Sequence, residues 1–400
     1  MSIVLDDFAQ RRRRGAAILH ELADIAEAQG AEQGVRQLRA LARRAMEGRF
    51  VLLLLGCFSS GKSTLLNALL GRPALPVKVN PCTAILTEVV YGETPSVDIH
   101  YDDGQTRKLD IDSFLEEFQL RTAMQDAGAE AADRFGNVER AVLAYPLPLL
   151  KNGVVILDTP GLDDDDRRTA RTLSSLPDAD AVIVVLNATR FLTDLERRTL
   201  RRNLLPLGLC NLFFPVTMVD LLEALSDDPE GELADIYARG HQDLAPLCEV
   251  EGNDLFQQRF FPLDSRGALF ARYDNATKET RETPDTKKLE ESGILAFEQS
   301  LERFLVQDRG QAELRHLVSV ANRVNNDLVR QAELDRATAS SSVEELRHRQ
   351  TELEPRFDEL TAIAQRVERT VDHFIGRQQH LIWQDLRDFV IAMEQEIPSA

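Results

Sequence analysis

Residues 56–63 read Gly-Cys-Phe-Ser-Ser-Gly-Lys-Ser and satisfy the spacing Gly-x-x-x-x-Gly-Lys-Ser. The apolar run Val51–Leu55 precedes them and the leucine-rich stretch Leu65–Gly71 follows. A glycine turn between a strand and a helix lets backbone N–H groups point inward around phosphates, and the helix N-terminus adds its dipole. Lys62 would supply a fixed cation between the β- and γ-phosphates, and Ser63 would offer its hydroxyl to Mg²⁺. Gly56, Ser59, Ser60, Gly61, Lys62, Ser63 and Thr64 thus form the predicted phosphate-binding set.

Two further stretches complete this chemistry. Asp158 and Gly161 stand in a D-x-x-G arrangement after the apolar run Gly153–Leu157. Asp158 is expected to reach Mg²⁺ through a water, and the Gly161 N–H to meet the γ-phosphate. Thr217, Met218, Val219 and Asp220 close another apolar run. An aspartate there can accept two hydrogen bonds from guanine, a pair adenine does not offer, and such a site rejects the wrong base by roughly 10⁴-fold. Met218 stands where the usual guanine element has lysine, and its apolar length can still cover a base face. A helix N-cap is the plain structural alternative for Asp220. Asp264 and Ser265, at the end of the run Arg259–Ser265, are assigned backbone contacts to the base. Between the glycine loop and Asp158, Thr83 is the first choice to close over Mg²⁺ and γ-phosphate, and Thr87 the second. Ser63, Thr83 and Asp158 are then the metal-binding set; Ser59, Lys62, Thr83 and Gly161 are the catalytic one.

These residues need a sheet and helices to hold them. Short apolar runs alternate with helical stretches from 49 to about 270, and several are apolar at consecutive positions. That pattern predicts an α/β domain with a mostly parallel sheet covered on both faces. The predicted strands are 51–55, 84–92, 96–101, 141–146, 153–158, 180–188, 211–220 and 259–265, with Asp103-Gly104 as a hairpin turn. Residues 266–295 are polar and read as a connecting segment. Residues 4–47 show helical periodicity, and the basic run Arg11–Arg14 reads as a solvated helix face. The chain turns helical again from about 296. There Leu346, Leu353, Leu360, Val367, Phe374 and Leu381 recur at heptad spacing, with Val343, Phe357, Ala364 and Val371 on a weaker second track. Such a repeat marks a long helix in a bundle or coiled coil, which Pro355 should kink or restart. The predicted organisation is therefore 1–48, N-terminal helices of a bundle; 49–295, a nucleotide-binding domain; and 296–400, C-terminal helices of the same bundle. The sequence stops soon after at Glu396–Ala400 without a closing element, which predicts a longer natural chain.

The formal net charge of −19 over 400 residues argues against broad nucleic-acid binding, which needs a cationic face. Four cysteines without CxxC spacing point to reduced thiols in a cytosolic protein, and His373 and His380 read as surface residues. The N-terminus lacks the apolar stretch of a secretory signal, and the longest apolar runs are strand-length.

Taken together, GCFSSGKSTLLNALLG, PVKVNPCTAILTEVVYG, LDTPGL and the TMVD strand resemble the dynamin superfamily, specifically the bacterial dynamin-like proteins. The likeness spans roughly 1–330, and the remainder in general character. It implies a GTPase domain on a helical neck, nucleotide-dependent dimerisation across GTP sites, self-assembly on membranes, and remodelling or fusion as the output. It implies binding of GTP and GDP and a cytoplasmic protein held peripherally at the inner face of the cell membrane. Ser59 matches the family serine that helps hold a monovalent cation, K⁺ or Na⁺. Phe58 stands where eukaryotic dynamins place a water-orienting glutamine, which predicts slow basal turnover. Closure at Thr83 and Gly161 is expected to swing the helical bundle. Asp163–Asp166 reads as a solvated loop beside the triphosphate. The alternatives are a GTP-dependent scaffold, a subunit whose dynamin-like partner touches the membrane, and an ATPase.

Overall fold

The computed structural model describes residues 2–77, 85–124, 138–162, 173, 175–205, 211–250, 252–340, 349–351, 353, 355, 358–359, 361–362, 365–366 and 369. In chain order the elements begin with α1 (Ser2–Ala28), α2 (Glu32–Glu47), β1 (Phe50–Leu55) and α3 (Lys62–Leu70). Next come β2 (Thr87–Tyr91), β3 (Ser96–Tyr101), β4 (Thr106–Leu109), α4 (Ile111–Met124), β5 (Val138–Tyr145) and β6 (Val154–Asp158). β7 (Ala181–Val184), β8 (Leu186–Asn187), α5 (Asp194–Thr199), β9 (Leu212–Thr217), α6 (Val219–Leu225) and α7 (Pro229–Cys248) follow. A small hairpin, β10 (Glu249–Val250) and β11 (Asn253–Asp254), precedes β12 (Phe260–Pro262) and α8 (Ser265–Arg272). A second hairpin, β13 (Tyr273–Asp274) and β14 (Glu279–Thr280), leads into α9 (Thr286–Glu291), α10 (Ile294–Arg303) and α11 (Arg309–Ser340).

The main sheet runs β12-β9-β7-β1-β6-β2-β5-β3-β4, with β8 beside β9. From β12 to β6 all pairs are parallel; β2 is antiparallel to β6 and parallel to β5, and β3 and β4 close the edge antiparallel. The mostly parallel sheet expected from the sequence is present. β1 explains why its run is apolar throughout. Phe50, Leu52 and Leu54 enter one core with Leu66 of α3, Leu269 of α8 and Phe297 of α10. Val51, Leu53 and Leu55 enter the other with Ile236 and Leu244 of α7. Burying both faces of a central strand removes roughly 1.5–3 kcal/mol of exposure cost per large apolar side chain.

Three details differ from expectation. Residues 180–188 form two strands, β7 and β8, because Val185 turns its N–H to the Leu55 carbonyl while β8 moves on to β9. The run 84–92 is a strand only at 87–91. Residues 266–295 are no connector: α8 buries Ala268, Leu269 and Ala271, and Leu289 of α9 joins the same core. Their polar residues mask an i, i+3 apolar face one helical turn long, too short for periodicity to register. The Asp103-Gly104 hairpin is present, with Gly104 at φ 81 and Gln105 N–H donating to Asp103 Oδ1 at 2.9 Å.

The chain divides into two compact units, Met1–Asn326 and Asp327–Ala400. Within the first, α1 and α2 pack on each other, and Ala16, Leu19 and Ala23 of α1 and Leu38, Leu41 and Ala42 of α2 are buried. Gly15 and Gly34 admit α11: a Cβ at either would lie 3.1 Å from Leu317 and Val324 respectively. In the second unit Leu353 is helical and 44% exposed, and Pro355 is also helical. The other heptad positions, Leu346, Leu360, Val367, Phe374 and Leu381, lie outside the described residues, as do both histidines singled out above.

Candidate functional site

β1 delivers the chain to the C-terminal edge of the sheet at Leu55, and the turn that follows is built on backbone contact. A Cβ at Gly56 would meet the Val185 carbonyl and lie 2.7 Å from Ser60 Oγ. Ser59 (φ 57) and Gly61 (φ 87) adopt left-handed backbone, which turns the loop before α3 begins at Lys62. Ser59 is exposed, whereas Ser60 is 1% exposed. Lys62 Nζ donates to the Gly56 and Cys57 carbonyls, each at 2.9 Å. Its ammonium is therefore held over the mouth of the loop by neutral carbonyls, and a phosphate oxygen there would add the attraction of opposite full charges.

β6 brings Asp158 beside this loop through its register with Leu54 of β1. Ser63 Oγ donates to Asp158 Oδ2 at 3.0 Å. A hydroxyl and a carboxylate at one point are hard oxygen donors suited to Mg²⁺, which needs only one or two protein ligands beside phosphates and water. No cluster of three His, Cys, Asp or Glu that could hold a metal occurs among the described residues, and this donor set does not require one. Ser63 and Asp158 would hold the ion; it would supply charge neutralisation at the phosphates.

The D-T-P-G turn is locked to the glycine loop. Thr159 Oγ1 donates to the Leu54 carbonyl at 2.6 Å and Leu162 N–H to the Gly56 carbonyl at 3.2 Å. Gly161 rests on Phe58 so closely that a Cβ would lie 2.6 Å from its backbone nitrogen. Lys62, Ser63, Thr64, Asp158 and Gly161 thus share one cavity of about 230 Å³, with Phe114 and Phe118 of α4 on its apolar side. Thr87 also lines it, 5% exposed, its Oγ1 donating to the Ile85 carbonyl at 3.3 Å. Thr83 and Asp163–Asp166 lie outside the described residues.

The base-side residues fall into two groups. Met218, at φ 62, lines the cavity and starts α6. Asp220 sits in the first turn of α6, half-exposed, and carries no backbone cap. The cap alternative belongs instead to Asp264, which precedes α8 and accepts from Gly267 N–H at 2.7 Å. Leu263 N–H donates to the Val216 carbonyl at 2.7 Å, which aligns the ends of β9 and β12. The Asp264 carboxyl is raised above its usual range by burial, and by the charge of Asp220. Thr217 and Ser265, by contrast, are 1% and 4% exposed. Thr217 Oγ1 lies 2.6 Å from the Ser60 carbonyl and 3.1 Å from that of Leu186, so it props the phosphate loop from beneath. Asn67 was not singled out from the sequence. Its side chain accepts from Ala74 and Leu75 N–H and donates to the Leu75 carbonyl at 2.9 Å, which fixes the chain leaving α3. A lone asparagine amid leucines on a buried helix was the available signal.

The sheet thus carries the glycine loop, the D-x-x-G turn and the start of α6 with Asp220 at one edge. A sequence model of the dynamin family matches residues 52–217, and one described as the bacterial dynamin-like protein helical domain matches 277–399. The bacterial dynamin-like protein of Nostoc punctiforme is 32% identical over 90% of this chain and 52% of its own length. Dynamin-like protein A of Bacillus subtilis is 27% identical over 52% of this chain and 16% of its own. A solved structure of an oligomerised bacterial dynamin pair, described as sensing and tethering membranes, aligns over 98% of this chain and 67% of that one, at 22% identity and a TM-score of 0.45. The chain belongs to the dynamin family, in its bacterial dynamin-like branch. It spans about half the length of the Nostoc relative.

Proposed function

We propose that this chain binds GTP with Mg²⁺ at the sheet's C-terminal edge and hydrolyses it to GDP and phosphate. The observation that carries the reading is the meeting of Lys62, Ser63, Asp158 and Gly161 in one cavity, with Ser63 Oγ on Asp158 Oδ2 at 3.0 Å. Hydrolysis here is positioning and electrostatics. Lys62 exchanges its two carbonyl partners for phosphate oxygens. Ser63 and Asp158 hold the metal, and Gly161 brings a backbone N–H past Phe58. Thr83 closes the site, and Ser59 takes the monovalent cation. Phe58 offers no hydrogen bond to water, so water placement falls to backbone groups, Thr83 or a second copy. Turnover is accordingly slow in the dilute chain and rises as it dimerises through its nucleotide domains. Asp220 selects guanine, Ser265 contributes a backbone contact to the base, and Thr217 supports the loop from beneath.

The cycle then drives self-assembly at the inner face of a membrane, which is remodelled or fused. Contact with lipid is direct or through a second dynamin-like subunit; among the described residues no helix is long and apolar enough to cross a bilayer. Calorimetry with a non-hydrolysable GTP analogue tests the core of this reading. Magnesium-dependent binding that Asp158→Ala abolishes is the expected result, with ATP competing only in Asp220→Ala. Equal affinity for adenine and guanine nucleotides in the wild type would overturn it. Turnover measured against protein concentration, with and without liposomes, tests the assembly step.

A further inference from the structure

The opposite edge of the same sheet carries a buried set of charges that nucleotide chemistry does not use, all within Met1–Asn326. Asp180, 3% exposed, is fixed to the start of β1: its Oδ2 accepts from Val51 N–H at 2.8 Å, and its own N–H donates to the Val51 carbonyl at 2.9 Å. From α2, Arg44 donates to the Asp178 carbonyl, and its guanidinium lies 3.5 Å from the Asp178 carboxylate. From α11, Arg309 donates to the carbonyls of Gly48 and Asn152, each at 2.9 Å, and covers the Phe50 ring at 5.1 Å. Arg309, Glu313 and His316 follow at i, i+4 and i+7 and so share one face of that helix.

Glu313 is the anomaly. It is 2% exposed, and neither carboxylate oxygen accepts a hydrogen bond. The cation beside it, Arg12 of α1, stays at 4.0 Å. Asp180 faces it from the sheet, Arg44 from α2 and Arg309 from α11. His316, 6% exposed, has only the Pro177 backbone as a weak polar partner, and Arg44 and Arg323 face it. A buried carboxylate without hydrogen bonds is costly in its charged form and much less so when protonated.

We propose that this cluster is a proton-linked latch: Glu313 takes a proton from solvent when α11 seats against the base of the nucleotide-binding domain and returns it when the seat opens. Burial, and next the charge of Asp180, push the Glu313 carboxyl up to about 7, against the pull of Arg12, Arg309 and Arg44. Burial pushes Asp180 up to about 6. Burial, then Arg44 and Arg323, press His316 down to about 4. The signs follow from linkage. Glu313, raised from 4.5, gives the seat stability that is full below its ordinary value and is lost as pH rises through about 7. Asp180 acts alike between 3.8 and about 6. His316, lowered from 6.5, acts in reverse, its contribution present above that value and lost as pH falls toward about 4. Two carboxyls outweigh one imidazole, so the seat loosens as pH rises toward neutrality.

The test compares the full chain with Glu313→Gln at about pH 6 and about pH 7.5. The readouts are urea unfolding and hydrogen exchange of α11 amides corrected for intrinsic rates. Over that interval the wild-type seating equilibrium should weaken roughly eightfold relative to Glu313→Gln. Identical pH slopes would overturn the latch. A second variant guards against misfolding of the first. Asp180→Asn keeps an acceptor for Val51 N–H but removes a charge that raises Glu313, so α11 protection should be lost at lower pH than in the wild type. An unmoved profile in Asp180→Asn would equally count against the proposal.

Discussion

The two ends of β1 solve the same problem differently. At Leu55 the strand opens into a cavity where Lys62 and Asp158 face a space fit for a polyanion and a cation. At Phe50 and Val51 it closes against helices, and Asp180, Glu313 and His316 are sealed from water. Of the upper charges, Lys62 is held by two backbone carbonyls and Asp158 by the Ser63 hydroxyl. The lower ones come from α1, α2, α11 and the chain before β7. Charges beside a cavity can keep their ionisation by exchanging one polar partner for another. Sealed charges must neutralise, pair or stay costly, so they respond to protons instead of ligand.

The widest separation of the two ends is expected from Lys62→Ala. Losing a charge-assisted contact pair should weaken GTP-analogue binding by about 100-fold or more in calorimetry, while the pH slope of α11 protection stays as in the wild type. Gly161→Ala comes next. Its Cβ would press on Phe58 nitrogen at 2.6 Å, so the loops must part, at about 1–3 kcal/mol in urea unfolding and with slower turnover. Thr217→Val sharpens the comparison from beneath the loop. It leaves the Ser60 and Leu186 carbonyls without their hydroxyl donor, at about 1–2 kcal/mol, and should weaken nucleotide binding although Thr217 is 1% exposed. The smallest effect belongs to the lower end. His316→Gln should remove an acid-side loss of about 1 kcal/mol between pH 6.5 and pH 5.5, read as a difference in unfolding free energy from the wild type.

The upper end was legible because its residues are contiguous. Gly56 to Ser63 form one short turn between a strand and a helix, so spacing reveals them. Asp158 and Gly161 were legible once a strand ending was placed before them. Thr217 was singled out for the base, yet it sits under the loop, because spacing along a strand end does not say which side of the sheet a hydroxyl meets. Helix α8 was missed within 266–295 because its apolar face is a single turn framed by arginines. The seat at the lower end left no pattern. Glu313 and His316 read as ordinary polar positions on a long helix, and nothing local marks them as buried.

By itself, the amino-acid sequence determined the alternation of strands and helices, the glycine-rich turn between β1 and α3 and the helical flanks. Those features depend on residue periodicity and on short loops whose backbone needs are local. Tertiary structure alone decided that Asp158 meets Ser63, that Asp220 lies beside Asp264, and that Glu313 is shut between Arg12 and Asp180. Burial and electrostatic neighbourhood are properties of several segments packed together, and no single stretch of chain contains them.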